Sequence, residues 1–334
     1  MARAAPMLVS KLQRSSHGGV GEATAEAGKK RGTRESDITI WEDKSVPAHA
    51  MDLDSSSLKV FELGKLVLSS GLLHSSWSKI SEIHKSTSPN QQRSGLGIKI
   101  YQQDKYTLVV FDAPPILSSN SASTLLSGSQ DDNPFHFLFS ENISSFSLHT
   151  PAYKLFDSAY KRLSELKELK SKLLQKLKAN KSVIITGAAL GGSVASLFTL
   201  WLLETIEPKL KRPLCITFGS PLIGDASLQQ ILDHSVWNSC FLHVADATQQ
   251  TPITAGFKPF GTFLICFDSQ CICIEDPDAV LELLTGDTNT DLLGWRDYGE
   301  VLRRLDQSSM ADSSLKSMVL SVEWRNVRSC VLIS

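Results

Sequence analysis

Between positions 183 and 193 the chain reads Val183-Ile184-Ile185-Thr186-Gly187-Ala188-Ala189-Leu190-Gly191-Gly192-Ser193. An apolar, β-branched run enters a glycine-flanked turn, and a segment of small and apolar residues leaves it. This is the layout of a nucleophile elbow, G-x-S-x-G, in which strand, turn and helix lift a serine hydroxyl above a sheet to attack an acyl carbon. Here Ala189 stands at the centre, while Gly187, Gly191 and Gly192 are kept. A methyl group has no lone pair to attack with. The spacing therefore predicts the architecture of an acyl hydrolase without its nucleophile. The three glycines serve as a structural elbow that lets strand and helix pack closely.

Acyl transfer by serine also needs a histidine base and a carboxylate that orients it, in the chain order Ser, Asp or Glu, His. Of eight histidines only His234 and His243 follow the elbow, and none lies between 244 and 334. His243 falls inside the apolar run Cys240 to Ala245, which reads as a strand, so it is expected to be structural. Two weak alternative nucleophiles remain. Ser193, like Ser196, lies inside the helix after the elbow, where hydroxyls usually bond to the preceding turn. Ser220 sits at a strand end before Pro221, a better-exposed place. No histidine is obviously placed to activate either. No His, Cys, Asp or Glu cluster has ligand spacing, so no metal and no cofactor is expected.

Composition bounds the rest. The net charge of -1 gives no reason to expect a nucleic-acid partner. The longest apolar candidate, Val194 to Leu203, is about half the roughly 20 residues that span a bilayer, and reads as a buried helix. The cysteines at 215, 240, 266, 271, 273 and 330 include no CxxC pair. Cys271-Ile272-Cys273 puts two thiols on one face of a strand, as apolar filler of a cytosolic protein. The 334 residues suffice for one large α/β domain or two small ones.

Residues 1 to 50 are rich in Ala, Gly, Ser, Lys, Arg and Glu with little periodicity, and are expected to be a disordered extension. Patterning begins after Met51. Leu58 to Ile83 reads as helical with a break near Gly71, and Gly97 to Tyr101 with Tyr106 to Phe111 as paired strands. Ser118 to Asn133 reads as a polar loop, and Ala152 to Lys178 as one long helix with a solvated Lys-rich face. Then follow strand 182 to 186, helix 191 to 206, strand Leu214 to Phe218, a helix near Asp225 to Leu232, and strand Cys240 to Ala245. A hairpin of Phe263 to Phe267 with Cys271 to Glu275 precedes helices Pro277 to Leu284 and Tyr298 to Leu305. Alternating strands and helices imply an α/β fold, a mostly parallel sheet covered by helices on both faces.

The segments Gly187-Ala188-Ala189-Leu190-Gly191-Gly192 and Thr217-Phe218-Gly219-Ser220-Pro221 resemble those of class 3 lipases. More closely, Leu63 to Val67, Ser69 to Ile80, Thr107 to Phe111, Ile184 to Pro208, Lys211 to Gln230 and Phe257 to Phe267 resemble the plant lipase-like immune family named for enhanced disease susceptibility. The resemblance covers roughly residues 55 to 308 and implies an α/β-hydrolase fold. It places the family nucleophile on Ala189. The family acid, in an Asp-x-x-Pro run, falls on Gln249 of Gln249-Gln250-Thr251-Pro252, with Asp246 one turn of chain early. The base, three residues before a Tyr-Gly pair, falls on Trp295. In the oxyanion loop, Asp112-Ala113-Pro114-Pro115, prolines remove backbone donors.

The resemblance implies a catalytically silent lipase-like domain, 51 to 308, acting in plant defence and senescence signalling. It would form a heterodimer with an enhanced-disease-susceptibility family protein, in nucleus and cytoplasm. The alternative it implies is an acyl hydrolase or carboxylesterase acting on lipid acyl esters. An acyl ligand in the old pocket is compatible with the same residues. Family members carry a helical domain after this one. Similarity fades after about Ser309, so residues 309 to 334 are expected to be a short divergent tail of a form truncated before that domain.

Overall fold

The computed structural model describes residues 38–42, 67–86, 95–114, 123–128, 133–162, 164–233, 235–248, 254–267, 270–285, 296–311 and 330–333. All fall in the unit Asp37–Ser334. Eleven strands are described among them: β1 (Ile38–Glu42), β2 (Gly97–Gln102), β3 (Tyr106–Asp112), β4 (Ser123–Ser127), β5 (Ser145–His149), β6 (Ser182–Ala188), β7 (Leu214–Phe218), β8 (Phe241–Asp246), β9 (Thr262–Phe267), β10 (Gln270–Ile274) and β11 (Cys330–Ile333). The helices are α1 (Leu72–Ser86), α2 (Thr150–Arg162), α3 (Ser164–Lys178), α4 (Leu190–Leu203), α5 (Ala226–Asp233), α6 (Pro277–Thr285) and α7 (Tyr298–Ala311).

Nine strands form one sheet in the order β1-β2-β3-β6-β7-β8-β9-β10-β11. Its centre, β3-β6-β7-β8-β9, is parallel throughout. The β2–β3 and β9–β10 hairpins are antiparallel. Side chains alternate across the sheet. Val109, Phe111, Val183 and Ile185 face a core shared with α2, α3 and α4. Leu108, Val110, Ile184 and Ile216 face Trp77 of α1 and Tyr298 of α7. Burial on both faces explains why β3 and β7 read as largely apolar runs, interrupted by Thr107 and the terminal Asp112 in the first and by Thr217 in the second. All fourteen residues of α4 are buried, and its polar side chains, Ser193, Ser196 and Thr199, donate to backbone carbonyls.

Most elements lie where the sequence places them, including the break at Gly71, which adopts φ +70°. Three differ. The span read as one helix is two, α2 and α3. The stretch read as a polar loop contains β4, which pairs with β5 in a separate two-stranded sheet and buries Leu126. Ile38–Glu42, inside the stretch assigned to the extension, pairs parallel with β2, and Cys330–Ile333 in the tail pairs with β10.

Candidate active site

The turn between β6 and α4 holds Ala189 at φ 47° and ψ -127°, left-handed backbone that costs a non-glycine residue on the order of 1–3 kcal/mol. Its amide donates to the Phe218 carbonyl at the end of β7 (2.9 Å), and its carbonyl accepts from Gly192 and Ser193 (3.1 and 3.2 Å). The glycines sit at points of backbone contact. A Cβ on Gly187 would lie 2.6 Å from the Gly191 carbonyl, and one on Gly191 would lie 2.5 Å from the Phe111 carbonyl. A Cβ on Gly192 would meet the Ser220 hydroxyl and lie 2.8 Å from the Gly187 carbonyl. The turn is thus a strained elbow presenting a methyl group.

Neither substitute hydroxyl is placed for attack. Ser193 is fully buried, and its Oγ donates to the Pro221 carbonyl (3.0 Å), a partner across the turn after β7 rather than on the preceding turn of its own helix. Ser196 does bond back to Gly192 (3.1 Å). Ser220 Oγ lies against the elbow, with a long hydrogen bond to the Phe218 carbonyl (3.4 Å). No described histidine bonds to either serine.

One strand further on, β8 ends in Asp246, only 3% exposed. Its Oδ1 accepts from the amide and hydroxyl of Thr248 (2.9 and 2.7 Å), and its Oδ2 meets the Arg296 guanidinium. The contact is made by Arg296 Nη2, which also lies 3.5 Å from the Thr248 hydroxyl. The next two residues anchor the same segment. Asp297 accepts from Trp77 Nε1 (3.0 Å), and Tyr298 packs its ring against Trp77 and Phe218, with centroids 5.4 and 5.6 Å away. Burial pushes the Tyr298 phenol well above its ordinary range. Gln249, Trp295 and Pro115 lie outside the described residues. Sequence reasoning missed Arg296, which carries no motif of its own.

His243 lies inside β8. Its Nδ1 hydrogen-bonds the Thr217 hydroxyl (2.8 Å), and Phe241, Phe260 and Phe263 wall the ring at 6.2, 5.2 and 4.8 Å. Burial pushes its pKa down to about 4, so the ring is neutral at pH 7. Burial likewise lowers that of His149, which precedes the elbow in the chain. Among the described residues, no group of three or more His, Cys, Asp or Glu could hold a metal ion. No helix among them is long and apolar enough to cross a membrane.

A parallel sheet with helices on both faces, and an elbow at the C-terminal end of a central strand, define an α/β-hydrolase fold of the lipase type. The sequence profile described as Lipase (class 3) matches residues 119–254. Senescence-associated carboxylesterase 101 of Arabidopsis thaliana is 61% identical over 294 residues, covering 82% of this chain and 53% of that protein. Lipase-like PAD4 of the same plant is 36% identical over 128 residues, covering 38% of this chain and 24% of that protein. Protein EDS1, also from Arabidopsis thaliana, is 34% identical over 71 residues, 20% of this chain and 11% of that protein. A solved triacylglyceride lipase of Rhizomucor miehei superposes with a TM-score of 0.40 at 17% identity, covering 63% of this chain and 82% of that one. The chain belongs to the lipase-like family that the three Arabidopsis proteins represent. It spans about half the length of the first of them.

Proposed function

We propose that this chain is a catalytically silent lipase-like scaffold. It would form a heterodimer with an enhanced-disease-susceptibility family protein in plant defence and senescence signalling, in nucleus and cytoplasm. The observation that carries the reading is the Ala189 methyl on an elbow that is otherwise complete and strained. Backbone strain of that kind persists only where the surrounding packing imposes it. Here the packing imposes it without a reactive group to aim. The neighbouring hydroxyls of Ser193 and Ser220 have no histidine partner among the described residues, which further supports a fold kept for its surface. The test is co-purification of the full 334-residue chain with Protein EDS1. A stable complex is expected, and no complex at micromolar concentrations would sink the reading.

A second reading, an acyl hydrolase, draws on the word carboxylesterase in the name of the 61% identical relative. It requires Ser220 or Ser193 as nucleophile with a nonstandard base, and Ser193 is fully buried. Hydrolysis of short acyl esters that survives purification and disappears in Ser220→Ala would establish it in place of the first.

A further inference from the structure

The elbow occupies the C-terminal ends of β6 and β7, and the opposite ends of the same strands carry a different chemistry. Tyr106 of β3 is in register with Ser182 of β6, and Ile184 of β6 with Leu214 of β7. Continuing that register outward puts Lys105, Lys181 and Lys211 in one row, at the roughly 4.8 Å spacing of adjacent strands. Arg212 falls beside Ser182 in the same register. Lys178 ends α3 just before β6, and Lys209 lies in the connection from α4 to β7. The carboxylates at this rim are Asp104, Glu207, Asp233 at the end of α5, Glu275, which accepts from Thr262 at the start of β9, and Glu204, which pairs with Lys170. The chain as a whole carries -1, so the excess is local.

A structural account covers only part of this. Cations are favoured at helix C-termini, which accommodates Lys176 and Lys178 at the end of α3. It does not extend to Lys181, Lys209 and Arg212, which lie outside the helices. Crowding is felt by Lys176, whose pKa is lowered by burial and then by the charge of Lys181. Lys178, Lys181 and Lys209 are exposed and Arg212 half-buried, and none of the four has an ion pair among the described residues. The loop entering β8 adds Val236, 60% exposed, one of two large apolar side chains so exposed among the described residues. Its neighbour Trp237 is half-buried and packed edge-on against Phe137 (5.8 Å).

We propose that this rim, centred on Lys181, Lys209 and Arg212 and flanked by Val236, is a docking surface for an acidic protein segment that carries an apolar side chain. Cations in a row meet the carboxylates, and Val236 meets the apolar residue. The surface lies at the other end of the sheet from the elbow, so it does not rest on the scaffold reading.

The test uses the full chain and a fluorescein-labelled oligoglutamate peptide with a central leucine, followed by anisotropy at low and high salt. Phosphatidylcholine vesicles containing phosphatidylserine, and a DNA duplex, are run in parallel. The triple variant Lys181→Glu, Lys209→Glu, Arg212→Glu is compared with Lys154→Glu, Lys161→Glu, Lys172→Glu, which changes the net charge equally on the outer faces of α2 and α3. Circular dichroism confirms that both are folded. Peptide binding should weaken roughly tenfold or more in the rim triple, weaken measurably in Val236→Ser, and persist in the control triple. Equal loss in both triples would reduce the effect to net charge and overturn the proposal. So would no binding of the peptide at low salt, or tighter binding of vesicles or DNA than of the peptide.

Discussion

Asp246 and Arg296 meet as an ion pair at the end of β8, on the side of the sheet where a hydrolase of this fold gathers its acid and base. A guanidinium is protonated at any accessible pH and has no acceptor, so it cannot take a proton from a hydroxyl. The pair instead fastens the segment before α7 to the sheet. Removing the arginine would leave a carboxylate that is 3% exposed without its counter-charge. Breaking a fully buried pair costs about 3–5 kcal/mol. The Arg296 side chain is 31% exposed, which lets water take up part of the loss and lowers the expectation to about 2 kcal/mol. Urea unfolding of Arg296→Ala should show that drop. Asp246→Asn, which keeps an acceptor for Thr248, should lose less. Arg296→Ala unfolding at the wild-type midpoint would show that the pair contributes nothing.

The elbow gives a prediction about chemistry. Restoring the hydroxyl in Ala189→Ser supplies a nucleophile without a base, because His243 is held by Thr217 within β8 and the hydroxyls of Ser193 and Ser220 beside the elbow bond to backbone carbonyls. A fluorophosphonate probe, which labels only activated serines, should leave both the wild type and Ala189→Ser unlabelled. Rapid labelling of the variant would mean that a base operates at this site.

The same turn predicts where packing, rather than chemistry, constrains the sequence. In Gly191→Ala the new methyl would lie 2.5 Å from the Phe111 carbonyl, a backbone atom with nowhere to go. Overpacking of that kind costs about 1–3 kcal/mol. Gly95→Ala, where nothing lies within 4 Å, is the control and should be close to neutral. A melting temperature for Gly191→Ala as high as that of Gly95→Ala would contradict the close contact.

The parallel centre of the sheet is legible in the chain because strands buried on both faces are dominated by apolar and β-branched residues, as 183–186 and 214–218 are. β4 is hidden for the opposite reason. Ser123-Thr124-Leu125-Leu126-Ser127 has a loop's composition, and only pairing with β5 and burial of Leu126 make it a strand. The passage from α2 to α3 is masked by an apolar spacing of three and four that runs through it without glycine or proline to mark an end. The site divides in the same way. The turn around Ala189 is set by neighbours in sequence, so its glycine spacing announces it. The pairing of Asp246 with Arg296 joins positions far apart in the chain, and no local pattern encodes it.

His243 makes stability depend on pH in a stated direction. Its folded pKa of about 4 lies below the unfolded value of about 6.5. Between those values the unfolded chain binds a proton that the folded chain does not, so stability falls as pH drops through that window. Above about pH 6.5 both states are neutral and the contribution is constant. The groups around the ring, Thr217, Phe241, Phe260 and Phe263, do not titrate in this range, so the window belongs to the imidazole. At about 1.4 kcal/mol per unit the total loss is on the order of 1–3 kcal/mol once partial solvent access is allowed for. His149, lowered by burial, acts in the same direction. His243→Phe keeps an aromatic ring in the box and removes the proton. Its stability above pH 7 should be lower, because the Thr217 hydroxyl loses its partner, but its decline from pH 6.5 to 4 should be shallower than that of the wild type. Thermal melts of both proteins across that range decide the matter, and parallel curves would remove His243 as the source of acid sensitivity.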